Sequence, residues 1–227
     1  MVLLGTILNT ITVAVGSSLG LLTGKRFSSK AQTNIIIVFG LFTIAMSIGM
    51  VREMHEPINI FLSLVIGTLI GEYLQLHNKF AKFASRFDGE GVQSFGGAFI
   101  KATMLFCVGG MTLVGCMNEG IDGDYNLIMI KSVMDLISSF FLASALGRGV
   151  LFSALAILGI QGSLTLGFYF IGVMISPELI IDLTATGGVL LLALGIDLIG
   201  LKKFQMLDLI PSLAVLPLIH FLHALLI

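Results

Sequence analysis

Lys101–Phe140 reads KATMLFCVGGMTLVGCMNEGIDGDYNLIMIKSVMDLISSF. Two apolar runs flank a short acidic loop between Asn118 and Asn126, and the runs carry Lys101, Lys131 and Asp135 inside them. A charge placed deep in hydrocarbon is costly, so such residues face a bundle interior or a water-filled cavity. Read this way, the stretch is a pair of membrane-crossing helices with a polar interior.

The composition agrees. Of 227 residues, 56% are hydrophobic and 11% charged, against about 25% charged in a soluble domain. A net charge of −1 argues against a nucleic-acid partner, which needs a basic patch. Cys107 and Cys116 are nine residues apart and point to opposite sides of a helix, so they do not pair locally and read as small packing residues. The chain shows no HExxH, GxSxG or nucleotide loop, so neither an enzyme, a cofactor nor a metal centre is expected. His220 and His223 have a spacing that suits a metal but no third ligand.

The fold class expected is all-α: a polytopic membrane protein of about eight transmembrane helices in a single integral membrane domain. A span needs about 20 apolar residues. The expected spans are Leu3–Thr23, Asn34–Val51, Ile58–Leu76, Gly96–Cys116, Leu127–Leu146, Val150–Ile175, Leu179–Ile199 and Leu207–Leu226. With the N-terminus outside, cytoplasmic loops hold Lys25, Arg26, Lys30, Lys79, Lys82, Arg86, Arg148, Lys202 and Lys203, nine of the twelve basic residues. The positive-inside rule then places both termini outside. The outer loops carry the acids Glu53, Glu56, Glu119, Asp122, Asp124 and Glu178. Residues 76–87 put Phe80, Phe83 and Phe87 on one face and Lys79, Lys82 and Arg86 around the other, which suits a helix lying in the cytoplasmic interface. The turn Asp88–Gly91 ends it.

Spans one to three and six to eight share a layout, and an offset of 146 aligns Gly16-Ser17 with Gly162-Ser163 and Gly49 with Gly195. Five spans separate the two starts, so a true repeat is inverted, a plan recurrent in secondary transporters with the site near the midplane.

Polar residues within spans mark the candidate site. Asn9, Thr12, Gly16 and Gly20 form a stripe on span one. Gly16, Gly20 and Gly24, like Gly67 and Gly71, are spaced for close helix approach, either within the chain or as a homodimer seam. Gly159, Gln161, Gly162 and Ser163 interrupt span six, where local unwinding would free carbonyls; a hydrogen bond from Gln161 to a neighbouring helix is the alternative. In Asp182-Leu-Thr-Ala-Thr-Gly-Gly188, Thr184, Thr186 and Gly187 resemble a polar helix start that attracts anions, with Asp182 complementing the dipole. Asp197 and Asp208 are expected to pair at the interface beside Lys202 and Lys203. Pro211 and Pro217 are expected to kink span eight. Lys131 and Asp135 share a face at i, i+4, as a structural ion pair or as a substrate or coupling site.

Several motifs together resemble the YdfK/YqgA-like family of bacterial integral membrane proteins, a domain of unknown function. They are Met1–Thr6 with Asn9, Phe106–Met111, Gly123-Asp-Tyr125 with Lys131-Ser132 and Asp135, Gly149–Ala154, Gln161-Gly-Ser163 and Thr184–Gly188. The resemblance implies a bacterial inner-membrane location and carries over no catalytic or binding residue.

The expected function is a transporter or permease for a small solute or ion, working by alternating access around a midplane site of Asn9, Lys131, Asp135, Gln161, Gly162, Ser163, Thr184, Thr186 and Gly187. The alternatives are a small-ion channel and a non-transporting scaffold or sensor. A scaffold would leave its buried polar residues fully paired and enclose no cavity. The expected partners are the lipid bilayer and a second copy of the chain.

Overall fold

The computed structural model describes residues 2–24, 28–87, 94–171 and 176–226, and these are helical with no strand among them. In chain order the helices are α1 Leu4–Gly24, α2 Ser29–Arg52, α3 Pro57–Leu74, α4 Leu76–Ala84, α5 Phe95–Cys107, α6 Gly110–Asp122, α7 Asn126–Leu146, α8 Gly149–Ile171, α9 Pro177–Leu198, α10 Met206–Leu209 and α11 Pro211–Leu226. Local chemistry sets many ends. Ser28, Ser94 and Ser176 each accept a backbone N–H at N-cap positions, and Pro57 and Pro177 open α3 and α9. Gly123, at φ +70°, closes α6 in the left-handed conformation that favours glycine.

Helix α1 shows how the bundle meets lipid. On α1, Ile7, Ile11, Val15, Leu19 and Leu22 are exposed, whereas Thr6, Asn9, Gly16, Ser17 and Gly20 are buried. On this helix large apolar side chains face outward and small or polar ones inward, as expected when the solvent is lipid, while the interior of the bundle also holds large apolar residues such as Phe106, Leu142 and Leu194.

Six described helices are long and apolar enough to cross a membrane. Two of the eight expected spans differ. Span four is two helices, α5 and α6, bent by 57° at a short break, and it counts as a seventh crossing only if the bent pair is one span. Span eight is α10 and α11, whose apolar part, Met206–Leu222, is 17 residues, or about 26 Å against ~30 Å of hydrocarbon. The break precedes Pro211, which opens α11, while Pro217 lies within it.

Packing pairs distant elements. Helix α1 lies along α7 and α8, α2 on α9, α3 on α10 and α11, and both α5 and α6 on α8. The glycine stripe of α1 serves this packing: a Cβ on Gly20 would run into the Phe140 carbonyl of α7. Gly67 and Gly71 likewise meet the backbone of Ser212 and Asp208. Of the two uses expected for these glycines, the structure shows packing within the chain, where they allow close backbone approach. Gly49 has open space around it and Gly195 packs on Gly40 and Ile44, so the 146-residue register does not pair equivalent positions.

Helix α4 and a following 3-10 turn, Ser85–Phe87, occupy the expected interfacial segment. Phe80 stacks on Phe99, ring centroids 5.4 Å apart, while Lys79, Lys82 and Arg86 are exposed. The Asp88–Gly91 turn lies outside the described residues.

Candidate functional site

Lys131 and Asp135 lie one turn apart on the buried face of α7, where they form an ion pair, and each is less than a tenth exposed. They line a cavity of about 150 Å³ between α2, the α5–α6 bend, α7 and α9. Its remaining wall is soft and mostly apolar, with Met46, Met50, Met111 and Met134 among the lining residues and Thr43 and Ser138 as further polar groups. The Lys131 ammonium sits 5.9 Å from the centroid of the Phe106 ring, close enough for a cation–π attraction. A cavity of this size admits a benzene-sized molecule.

The bend forms part of the cavity wall. Gly109 has extended backbone at the break and lines the cavity. The Phe106 carbonyl accepts a hydrogen bond from the Thr112 hydroxyl at 3.0 Å. Backbone polar groups left unpaired at membrane depth are costly, and Thr112 bridges across the interruption. Thr186 and Gly187 lie behind it: a Cβ on Gly187 would touch Val108 and Met50.

A second polar group forms where α1, α6 and α8 meet. The Asn9 amide donates to Gln161 Oε1 at 3.0 Å, leaving Asn9 Oδ1 and Gln161 Nε2 buried without partners. Gln161 therefore bonds across helices, and α8 runs unbroken from Gly149 to Ile171, so the expected unwinding at Gly159–Ser163 does not occur. Gly162 is buried near Thr6, but Ser163 is exposed and donates to the Gly159 carbonyl of its own helix.

Glu119 was expected in an outer loop. It is instead fully buried in α6, where Oε1 accepts the Gly5 N–H at 2.6 Å and Oε2 lies 3.3 Å from the Thr6 hydroxyl and 3.4 Å from that of Thr165. The available signal was the spacing of Thr112, Cys116 and Glu119, a single face at i, i+4 and i+7; all three are fully buried.

Other acids serve as helix caps. Asp182 is buried within α9, and its Oδ1 accepts the His55 and Glu56 N–H groups at 2.7 and 3.1 Å, at the start of α3. Asp208 accepts the His77 N–H at 2.9 Å, at the start of α4, rather than pairing with Lys202 or Lys203. Both place a negative charge at a helix N-terminus, where the dipole favours it. Helix α9 begins at Pro177, so Thr184, Thr186 and Gly187 lie in its interior and offer no free N–H groups. Thr184 is half-buried, and Thr186 is buried with its hydroxyl unpartnered.

At the other end of the bundle, Lys101 pairs with Asp197 at 2.5 Å, which replaces the pairing expected with Lys202 and Lys203. That pair lines a polar cavity of about 610 Å³ with His77, Ser94, Lys203 and Gln205. His220 Nε2 lies 3.4 Å from the Ser176 hydroxyl, and the His223 side chain lies outside the described residues.

The family described as "Protein of unknown function (DUF554)" matches residues 4–221. The chain belongs to this family. It is 31% identical over 225 residues to the "Uncharacterized membrane protein YdfK" of Bacillus subtilis (strain 168), covering 97% of each chain. Over 218 residues it is 29% identical to the "Uncharacterized protein YqgA" of Escherichia coli (strain K12), covering 92% of this chain and 93% of that one. No solved structure matches it. The matches and the helical architecture together make it a polytopic, all-α membrane protein.

Proposed function

We propose that this membrane protein is a transporter or permease of a small solute or ion, working by alternating access at the Lys131–Asp135 cavity. The cavity carries the reading. A scaffold has no need of a void of about 150 Å³ bordered by a buried ion pair, nor of buried polar atoms without partners, as at Asn9, Gln161 and Thr186. The pair can exchange its internal contact for a solute group of either charge. The four methionines offer a wall that repacks easily around the solute's apolar part. The break beside the cavity is where α5 and α6 can move relative to one another.

The location belongs to the same reading: a bacterial inner membrane with both termini outside. Supporting it, Glu119 and Asp182 cap helices at the end assigned to the outside, whereas Asp208 and the Lys101–Asp197 pair lie at the end rich in basic loops. An inverted relation of spans one to three with six to eight also belongs here. In support, each helix of one triplet touches its counterpart, α1 with α8, α2 with α9 and α3 with α11, as helices flanking a shared two-fold axis do.

The test uses Ser138→Cys, which places a thiol in the cavity wall, with Cys107 and Cys116 replaced by alanine. In oriented vesicles an impermeant maleimide should reach Cys from either side, in conditions that favour each state. Labelling from one side only, in every condition, would reject alternating access.

A further inference from the structure

The junction of α1, α6 and α8 holds two polar layers, each with one residue per helix. One layer is Thr6, Glu119 and Thr165; the other, a turn away along each helix, is Asn9, Cys116 and Gln161. All six residues are fully buried. We propose that the Thr6–Glu119–Thr165 layer is a binding site for a dehydrated sodium ion. This does not rest on the transport reading, since an ion held here requires no solute to move.

The spacing of the oxygens is the first argument. Glu119 Oε2, Thr6 Oγ1 and Thr165 Oγ1 form a triangle with edges of 3.3, 3.4 and 3.4 Å. Hydroxyl hydrogen bonds close to about 2.7–2.8 Å, so the two threonine hydroxyls reach Oε2 and one another only by long contacts. In an octahedral shell the ligand–ligand edge is √2 times the metal–oxygen distance. Oxygens about 2.4 Å from a hard cation therefore stand about 3.4 Å apart, whereas magnesium at about 2.1 Å would bring them to about 3.0 Å. Three oxygens with these edges form one face of the larger octahedron.

Charge is the second argument. Glu119 has no cationic side chain in ion-pair range among the described residues. The Gly5 N–H bonds Oε1 and offsets part of the buried charge, leaving Oε2 turned to two neutral hydroxyls. A buried carboxylate that is hydrogen-bonded but has no countercharge is still disfavoured. One positive charge balances it, whereas a divalent ion would leave an excess in a dry interior. A monovalent ion of the radius set by the triangle is sodium. The unpartnered Asn9 Oδ1, on the next turn of α1, is a further hard oxygen of the type such ions take.

The experiment is thermal unfolding of the purified protein in detergent, at constant ionic strength and pH, with sodium, potassium or choline chloride. Sodium should raise the melting temperature in a saturable series, by about 3 °C or more per tenfold increase above Kd, and potassium and choline should not. Thr165→Val and Thr6→Val keep the β-branched shape and remove one ligand each. Both should shift the sodium dependence at least tenfold to higher concentration, and Glu119→Gln should abolish it if that variant folds. Equal melting temperatures in sodium and choline would overturn the site. So would a sodium effect unchanged in both threonine variants, or a stabilisation that follows pH alone and is identical in all three salts, which would mean that Glu119 holds a proton instead.

Discussion

Helix α8 and the α5–α6 pair begin from similar sequence and end differently. Both carry closely spaced glycines in an apolar run, Gly159 and Gly162 in one, Gly109 and Gly110 in the other. Helix α8 stays continuous, while the other bends by 57°. Glycine lowers the energy needed to leave the helix, by roughly 1 kcal/mol relative to alanine, but in lipid that is small beside the loss of unpaired carbonyls. At the bend a hydroxyl is in place: Thr112 takes the Phe106 carbonyl. In α8 the nearby hydroxyl, Ser163, bonds the Gly159 carbonyl from outside an intact helix, and Gln161 is held by Asn9. What breaks a membrane helix is the local replacement for the lost bond, with glycine permitting the shape.

Removing that replacement should have the largest effect on stability. Thr112→Val leaves the buried Phe106 carbonyl without its hydroxyl and should destabilise the protein by about 1–3 kcal/mol. Ser163→Ala, the matching change in α8, should shift the melting temperature little. Equal losses in the two variants would remove the distinction between the helices.

Gly159→Ala should act in the opposite direction. Nothing lies within 4 Å of a Cβ there, so in a continuous helix alanine should add up to ~1 kcal/mol of stability, read as a higher melting temperature. A loss would indicate that α8 needs an opening at this position.

The smallest shift is expected at the cavity beside the bend. A buried pair serving only as a lock loses ~3–5 kcal/mol when one partner is removed. At a cavity wall that water and solute reach, Asp135→Asn should leave the melting temperature within a degree or two of wild type while abolishing solute-dependent responses. Strong destabilisation of both Asp135→Asn and Lys131→Met, with recovery in the double variant, would make the pair structural and the bend merely a packing feature.

Much of the candidate site could be read before any packing was known, for reasons that differ by residue. Lys131 and Asp135 meet because i, i+4 on a helix is a local relation. Asn9 and Gln161 stood out separately, each as a polar group too costly to leave facing lipid, yet nothing in either run said that they were partners. Glu119 was misplaced because its neighbours Asn118, Asp122 and Asp124 look like a loop, and the three residues that hold its oxygens, Gly5, Thr6 and Thr165, are far away along the chain. Thr184, Thr186 and Gly187 were misread as a helix start because Ser176 and Pro177, the true start, sit a full two turns earlier.

The sequence by itself determined that the chain is helical, that it lives in lipid, roughly where its long spans lie and which residues are too polar to face outward. Hydropathy and helical period are sums over neighbouring residues, so they survive without knowledge of the fold. Only the tertiary structure decided that α1 packs its glycines on α7, that acids on α6, α9 and α10 cap the starts of α1, α3 and α4, and that span four breaks while span six does not. Each of these turns on whether a distant group is in place to satisfy a buried backbone or charge, and that is a relation between elements that no local window contains.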